Sequence, residues 1–137
     1  MRLPYEVFVV VRRGEEFLIL HRSPPHGAYW HCVAGGIEPG ETSAEAAARE
    51  LLEETGLEAS LLELERTWVY DLEAWEPRYE PGTSSVTVEC FLAEAPDRWE
   101  PTLDWEHDDY RWCDAMAAVE LLHWPEPREL LQEIGSR

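Results

Sequence analysis

The stretch GGIEPGETSAEAAARELLEETGL, residues 35–57, decides the fold prediction because a glycine-rich loop leads directly into a helical segment. Residues 43–55 are rich in alanine, the strongest helix former. Thr42 stands before them and Glu45 follows three residues later, which is the pattern of a capping box. Gly56 can end the helix in a left-handed backbone conformation. The sequence therefore predicts a helix over residues 43–55.

Three glutamates share one face of that predicted helix. Glu50, Glu53 and Glu54 are spaced so that their carboxylates lie within one turn of each other. They repel one another, by about 0.2–0.5 kcal/mol per pair, close to the helix end that disfavours anions. Arg49 offsets part of this charge, and a divalent cation such as Mg²⁺, which binds carboxylate oxygens, would offset the rest. A solvated acidic face is the alternative, but the glycines of the loop favour a metal site because they let a main-chain carbonyl approach.

The same residues resemble the Nudix box, the motif of a family of hydrolases. The motif is glycine, five residues, glutamate, seven residues, and then Arg-Glu-aliphatic-x-Glu-Glu-x-Gly-aliphatic. The resemblance implies an α/β fold of the α+β kind, an α/β/α sandwich with a mixed β-sheet, as a single domain over residues 1–137. It also implies hydrolysis of a nucleoside diphosphate linked to another moiety, with Mg²⁺ or Mn²⁺ as cofactor. The chain matches the motif without departure at Gly35, Glu41, Arg49, Glu50, Leu51, Glu53, Glu54, Gly56 and Leu57.

The resemblance implies roles for the charged residues of the motif. Glu50 or Glu53 could act as the general base instead of binding metal, because different members of the family use different bases. Arg49 is expected to orient a carboxylate through its forked guanidinium. Glu41 is expected to order the loop through hydrogen bonds. The expected metal ligands are Glu50, Glu53, Glu54 and the main-chain carbonyl of Gly35.

Residues outside the motif extend the resemblance toward the substrate. Residues 106–112 and 121–125 are similar to those of family members that act on nucleoside triphosphates, among them dihydroneopterin triphosphate and dATP pyrophosphohydrolases. Glu106 is a candidate base or metal ligand, with a solvated loop carboxylate as the alternative. His107 could donate to a phosphate or simply be solvated. The candidate substrate contacts are Arg22 to the phosphates, Gly36, and Trp30 or Tyr79 as stacking partners of a base.

The composition limits the classes of partner. The 137 residues carry 29 Asp and Glu against 11 Lys and Arg, a formal net charge of −18, and none of the basic residues is lysine. Nucleic-acid binding needs a basic face and is not expected. No apolar run approaches the ~20 residues of a membrane-spanning helix, so no membrane partner is expected either. Three widely spaced cysteines indicate reduced thiols and a cytoplasmic location; they are Cys32, Cys90 and Cys113.

Other functions stay open at this point. The same motif would serve a dinucleoside polyphosphate hydrolase or a hydrolase of ADP-ribose or nucleoside-diphosphate sugars, because other loops choose the substituents. A non-catalytic nucleotide-binding module is an alternative of a different class, which the presence of all three helix glutamates disfavours. The expected partner is a small-molecule nucleotide, and a homodimer is also considered because members of the family often form one.

Strand-like and helical segments are interspersed along the rest of the chain, which indicates a layered fold of sheet and helices. Residues 23–29 hold two prolines and a glycine and are predicted as a loop. A cap at Asp114 predicts a helix to about residue 122, and Pro125 opens another to about residue 135. Strands are predicted over residues 5–12, 17–22, 30–34, 62–72, 85–93 and 110–112.

Overall fold

The computed structural model describes residues 1–73 and 76–136 of the chain. A short 3₁₀ helix, Pro24–His26, lies within the segment predicted as a loop. No helix in these ranges is long and apolar enough to cross a membrane. The elements of these ranges follow one another as β1 Tyr5–Arg13, β2 Glu16–Arg22, β3 Trp30–His31, β4 Val33–Gly36, α1 Ser43–Thr55, β5 Leu61–Asp71, β6 Ser85–Glu94, β7 His107–Cys113, α2 Ala115–Leu121 and α3 Pro125–Gly135.

The strands form one mixed sheet. The main path runs β3-β2-β1-β6-β5, with β4 also paired to β1 and β7 also paired to β2. Strands β1 and β6 run parallel, whereas the other described pairs are antiparallel. Residues 7–11 of β1 are all apolar and buried, as expected for a central strand that is covered on both faces.

Helices cover both faces of this sheet. Successive side chains of a strand point to opposite faces, and Phe8 packs in the cluster that includes Leu130 of α3. Val9 faces the other way, into the cluster formed with Ala46 and Ala47 of α1. Both alanines are fully buried. The predicted α/β/α sandwich with a mixed sheet is therefore confirmed.

Residues 30–36 depart from the single strand predicted over residues 30–34. Strand β3 pairs with β2, and immediately after Cys32 the chain pairs with β1 as β4. The segment is two short strands because it changes its neighbour within the sheet. The new register places Gly35 opposite Val7, which brings the glycine-rich loop beside α1.

The cysteines agree with the sequence-based expectation. Cys32, Cys90 and Cys113 are free thiols and all three are buried. Burial raises the pKa of the Cys32 thiol above its ordinary range and raises that of Cys90 to about 12. Neutral, buried thiols of this kind behave as small apolar core residues.

Candidate active site

Helix α1 is fixed at both ends by local interactions that the sequence predicted. The Thr42 hydroxyl accepts a hydrogen bond from the Glu45 main-chain N–H at 3.1 Å, and the Glu45 carboxylate accepts one from the Thr42 N–H at 2.9 Å. Gly56 ends the helix with φ +81° and donates its N–H to Leu52. The capping box and the left-handed glycine are confirmed. They fix the start and end of α1, and so the positions from which its glutamates project.

Strand β4 lies so close to a side chain of α1 that position 35 has no room for a Cβ atom. A Cβ atom at Gly35 would collide with the carboxylate of Glu50. At Gly36, on the opposite face of the strand, a Cβ would instead lie 3.1 Å from the Nε of Arg2. Gly35 is therefore required by contact with a charged side chain, and its main chain lies directly against the Glu50 carboxylate.

Arg49 connects the loop to the helix. Its Nε and Nη2 donate to the two oxygens of Glu41 at 2.8 and 3.0 Å, and Nη2 also donates to the Gly36 carbonyl at 2.9 Å. Nη1 donates to Glu50 at 2.9 Å and lies 3.5 Å from Glu53. These hydrogen bonds, led by those of Glu41, raise the pKa of Arg49, and they lower that of Glu41. The guanidinium thus fixes the Glu50 carboxylate while Glu41 fixes the guanidinium.

Of the three helix glutamates, Glu54 is buried and Glu50 is largely buried beside it. The side chain of Glu54 is 2% exposed and that of Glu50 is 13% exposed, whereas Glu53 is 56% exposed. Burial raises the pKa of Glu54 well above its ordinary range, and its hydrogen bond with Glu50 raises it further. Burial also raises the pKa of Glu50, against the opposing effect of Arg49. Two adjacent buried carboxyl groups are costly unless a proton or a cation lies between them.

The donor set fits a hard divalent cation. Among the described residues, no three His, Cys, Asp or Glu side chains are grouped closely enough to hold an ion by themselves. Mg²⁺, however, commonly takes only one or two protein carboxylates and completes its shell with substrate phosphates and water. Glu50 and Glu54 are two adjacent carboxylates of this kind, and the main chain of Gly35 lies against that of Glu50. Glu53 stands on the exposed side of the same helix turn.

His107 does not behave as predicted. Both interpretations of the sequence, a phosphate donor and a solvated loop residue, require exposure, but its side chain is 0% exposed. The ring lies at the start of β7, opposite Arg22 of β2. Its Nδ1 is 2.8 Å from Asp104, and its Nε2 is 3.6 Å from Glu54. The extension of β7 beyond the predicted strand carries His107 into the core beside the helix glutamates.

A comparison with known proteins identifies the family. The NUDIX domain family profile matches residues 2–134. The chain belongs to the Nudix hydrolase family. It is 36% identical over 129 residues to an octanoyltransferase of Myxococcus xanthus, a match that covers 92% of this chain but 34% of that protein. It is 37% identical over 119 residues to the asymmetrical bis(5'-nucleosyl)-tetraphosphatase of Mus musculus, which covers 86% of this chain and 77% of that one.

Solved structures agree with this assignment. The dihydroneopterin triphosphate pyrophosphohydrolase of Escherichia coli has a TM-score of 0.84 and 28% identity, covering 96% of this chain and 94% of that one. The Nudix chain is therefore a hydrolase that acts on pyrophosphate bonds, in a family that is generally dependent on divalent metals. It spans about a third of the length of the Myxococcus octanoyltransferase, so that name describes a larger protein.

The remaining substrate candidates of the Nudix chain are Arg22, Trp30 and Tyr79. Arg22 donates its Nε to the His26 carbonyl at 2.9 Å and places Nη2 3.7 Å from Glu106. The Trp30 ring lies against His21 and under the Arg111 guanidinium. The Tyr79 ring is 3% exposed, which leaves no face open for stacking on a base. The structure therefore does not support Tyr79 as a base-stacking residue.

No motif in the sequence points to Arg2 as a functional residue. This residue lines a cavity of about 280 Å³ together with Gly36, Glu38, Arg49 and Glu50. Its Nη2 pairs with Glu6 at 2.6 Å. An arginine before a strand belongs to no recognisable motif, and only the folded chain brings it to the Nudix site. Arg2 and Arg49 thus place two guanidinium groups along this cavity. Their positive charge favours an anionic ligand, which the protein's net charge of −18 would otherwise repel.

Proposed function

We propose that the chain hydrolyses a (deoxy)nucleoside triphosphate or a pterin triphosphate to the monophosphate and pyrophosphate, with Mg²⁺ or Mn²⁺ as cofactor. The observation that carries this proposal is the adjacent pair of the buried Glu54 and the largely buried Glu50, with the Glu50 carboxylate lying against the main chain of Gly35. The triphosphate substrate is supported by the similarity of the whole fold to the Escherichia coli enzyme, whose name specifies dihydroneopterin triphosphate.

The proposed metal ligands are Glu50, Glu54 and the Gly35 carbonyl. Glu53, on the exposed side, is a further ligand when Glu106 serves as the base. A divalent cation held by these residues would neutralise charge on the phosphates and would lower the pKa of a water molecule, so that hydroxide would be available near neutral pH. The residues of the chain orient these oxygens. Arg49 holds Glu50 at 2.9 Å, and the glycine at position 35 leaves room for the carboxylate.

The proposed general base is an exposed carboxylate. Glu53 is 56% exposed and turned toward Arg49 rather than into the buried pair, so it can hold a water molecule at the edge of the site. Glu106 is the second candidate, 35% exposed and 3.7 Å from Arg22. A base must reach the attacking water by a hydrogen bond, and both carboxylates are open to solvent for this purpose.

Arg22 is the proposed phosphate contact. Its Nη2 lies 3.7 Å from Glu106, which is too long for a hydrogen bond, so a phosphate oxygen can replace that partner at little cost. Gly36 and Trp30 are the other proposed substrate contacts. The chain has no lysine, so arginine is the side chain left to bind phosphate directly.

A dinucleoside polyphosphate is the second candidate substrate. The tetraphosphatase of Mus musculus covers most of this chain at 37% identity, and the same carboxylates would serve either substrate. We also propose a cytoplasmic location, which the three buried, unpaired thiols support. A homodimer stays a prediction from the family.

A substrate screen with product analysis tests the function. The purified chain is incubated with Mg²⁺ and dNTPs, NTPs, dihydroneopterin triphosphate, diadenosine tetraphosphate or ADP-ribose. We expect release of pyrophosphate from one or more triphosphates. Two nucleotides released from the diadenosine compound, without pyrophosphate from any triphosphate, would favour the second candidate. No cleavage of any of them with Mg²⁺ or Mn²⁺ would contradict both.

A further inference from the structure

His107 has an unusual position for a histidine. Its side chain is 0% exposed, and it lies between two carboxylates. Nδ1 makes a 2.8 Å hydrogen bond with Asp104. Nε2 is buried, lies 3.6 Å from the Glu54 carboxylate, and has no hydrogen-bond partner among the described residues. The ring is thus held from one side and aimed at Glu54 from the other.

This arrangement is not explained by packing. Burial of an imidazole and a carboxylate is unfavourable unless their polar atoms are well paired, and Nε2 is not paired. The core cluster beside α1 consists of apolar side chains, mostly valine, leucine and alanine with Phe91. An apolar residue in place of His107 would avoid that penalty. An unpaired, buried nitrogen facing a buried carboxylate indicates a function for the contact.

Glu54 has few other contacts that fix its orientation. Its hydrogen bond with Glu50 needs a proton between the two carboxyl groups, which a bound cation would displace. The main-chain N–H of Ala34 donates to its Oε1 at 3.5 Å, which is the limit of a hydrogen bond. Glu50, by contrast, is held by Arg49 at 2.9 Å. Carboxylates that bind metals are themselves oriented by hydrogen-bonding neighbours. For Glu54, the side chain placed to do this is His107.

We propose that His107, held by Asp104, is a positioning residue that orients the Glu54 carboxylate to bind the divalent cation. The inference rests on the proposed function, because it takes Glu54 to be a metal ligand. His107 touches neither the substrate nor the reacting atoms in this proposal. Its two nitrogens have separate tasks: Nδ1 anchors the ring and Nε2 faces the ligand.

Two substitutions separate these tasks. In His107→Gln the longer amide reaches as far as Nε2 and can donate to Glu54. In His107→Asn the shorter amide reaches only as far as Nδ1, so the contact with Asp104 is imitated and the contact with Glu54 is lost. His123→Asn is the matched control, since His123 is exposed and packs on Tyr29 and Trp124.

The first measurement is the binding of Mn²⁺ alone, followed by electron paramagnetic resonance, with thermal unfolding of each metal-free variant as a check of folding. We expect His107→Asn to weaken Mn²⁺ binding by about 10- to 100-fold. His107→Gln should stay within about 3-fold of the unchanged protein, and His123→Asn should match it. The second measurement is turnover against Mg²⁺: His107→Asn should need more Mg²⁺ for half-maximal activity, with the substrate KM at saturating Mg²⁺ unchanged.

Several outcomes would overturn the proposal. If His107→Asn binds Mn²⁺ as tightly as the unchanged protein, His107 does not position a ligand. If the Gln and Asn variants lose affinity equally, the role is structural. If the unchanged protein binds Mn²⁺ but cleaves no nucleotide, the proposed function fails while the Mn²⁺ comparison still decides the role of His107. If it binds no Mn²⁺, both fail.

Discussion

The two segments that meet at Glu54 are built in different ways. In the loop and helix of residues 35–57, Arg49 joins Glu41, Glu50 and the Gly36 carbonyl by hydrogen bonds of 2.8 to 3.0 Å. The second segment, formed by the end of β2 and the start of β7 where Arg22 lies opposite His107, reaches the site through longer contacts. These are 3.6 Å from His107 to Glu54 and 3.7 Å from Arg22 to Glu106. The first segment is a connected, rigid frame, whereas the second has room to adjust when a ligand binds.

This difference assigns separate tasks to the two segments. In the first segment each charged group is hydrogen-bonded to another, which restricts the positions of the Glu50 carboxylate oxygens. Such precise positioning matters because a displacement of about 1 Å can greatly reduce a rate. Contacts that are too long for hydrogen bonds can be exchanged for contacts with a substrate. Loss of a metal ligand or of the close contact at Gly35 should therefore lower kcat, whereas loss of the Arg22 contact should raise KM.

The largest effect is expected from Glu54→Gln. The amide keeps the shape of the side chain but lacks the negative charge that binds a divalent cation. We expect kcat to fall by about 10³-fold, which corresponds to a loss of about 4 kcal/mol of transition-state stabilisation. The decrease in kcat is measured by steady-state hydrolysis of the triphosphate that the unchanged protein cleaves fastest. Since Glu54 is buried, circular dichroism should confirm that the fold is kept. Near-normal turnover by a folded variant would remove Glu54 from the proposed metal site.

Gly35→Ala should come next. The added Cβ collides with the Glu50 carboxylate, and a displacement of about 1 Å can reduce a rate by about 10²-fold. Gly36→Ala is the matched comparison, because its Cβ meets only the flexible end of Arg2 at 3.1 Å. Since Gly36 is a proposed substrate contact, its effect should appear in KM and leave kcat nearly unchanged. Assays of kcat for both variants at saturating Mg²⁺ make the comparison. Equal rates for the two variants would mean that the close approach at Gly35 is not needed.

The stability of the metal-free protein should depend on pH through Glu54. Its pKa in the folded chain is raised above the ordinary value of 4.5 by burial, so the folded state holds a proton that the unfolded state releases. The free energy of unfolding should fall as pH rises from 4.5 through the raised pKa, by up to about 1.4 kcal/mol per pH unit for one proton.

Urea unfolding with a chelator between pH 4.5 and 8 measures this dependence, with Glu54→Gln as the reference that lacks the proton. The unchanged protein should lose more stability over that interval than the variant, and added Mg²⁺ should restore it. Identical pH profiles would show that the Glu54 carboxyl is not held protonated in the absence of metal.

Arg22→Ala should have the smallest effect. Loss of one charged hydrogen bond to a phosphate is worth about 1.5 kcal/mol, or about 10-fold in KM. Because Arg22 lies outside the Arg49 network, kcat should change little. Arg12→Ala is a suitable control, since Arg12 pairs with Glu94 on the neighbouring strand β6. A fall in kcat with no change in KM would place Arg22 with the rigid frame instead.

Local signals explain what the sequence could predict. Helix α1 is delimited by the capping box of Thr42 and Glu45 and by the terminal Gly56. These signals act over a few residues, so the sequence pattern alone predicts where the helix begins and ends. The spacing of Glu50 and Glu54 likewise places them on one face. What the pattern does not contain is that these two become buried while Glu53 stays exposed, because this depends on how β4 approaches the helix.

Long-range pairing explains what the sequence could not predict. His107 was expected at the surface because its neighbours are polar, but the pairing of β7 with β2 carries it inward. Arg2 comes to the site only because the start of β1 lies beside the end of β4. Residues 30–34 were predicted as one strand since no local feature marks the change of partner after Cys32.

The two fully buried alanines of α1 also determine the height at which the helix lies above the sheet. Ala46 and Ala47 have the smallest side chains that still present a Cβ, and they face the valines of β1. A bulkier residue at either position would act as a spacer and lift the helix. The Glu50 carboxylate, one turn further along the helix, would then lie farther from Gly35 in β4. The methyl groups of Ala46 and Ala47 take no part in catalysis, but they help to set the distance between the helix glutamates and Gly35.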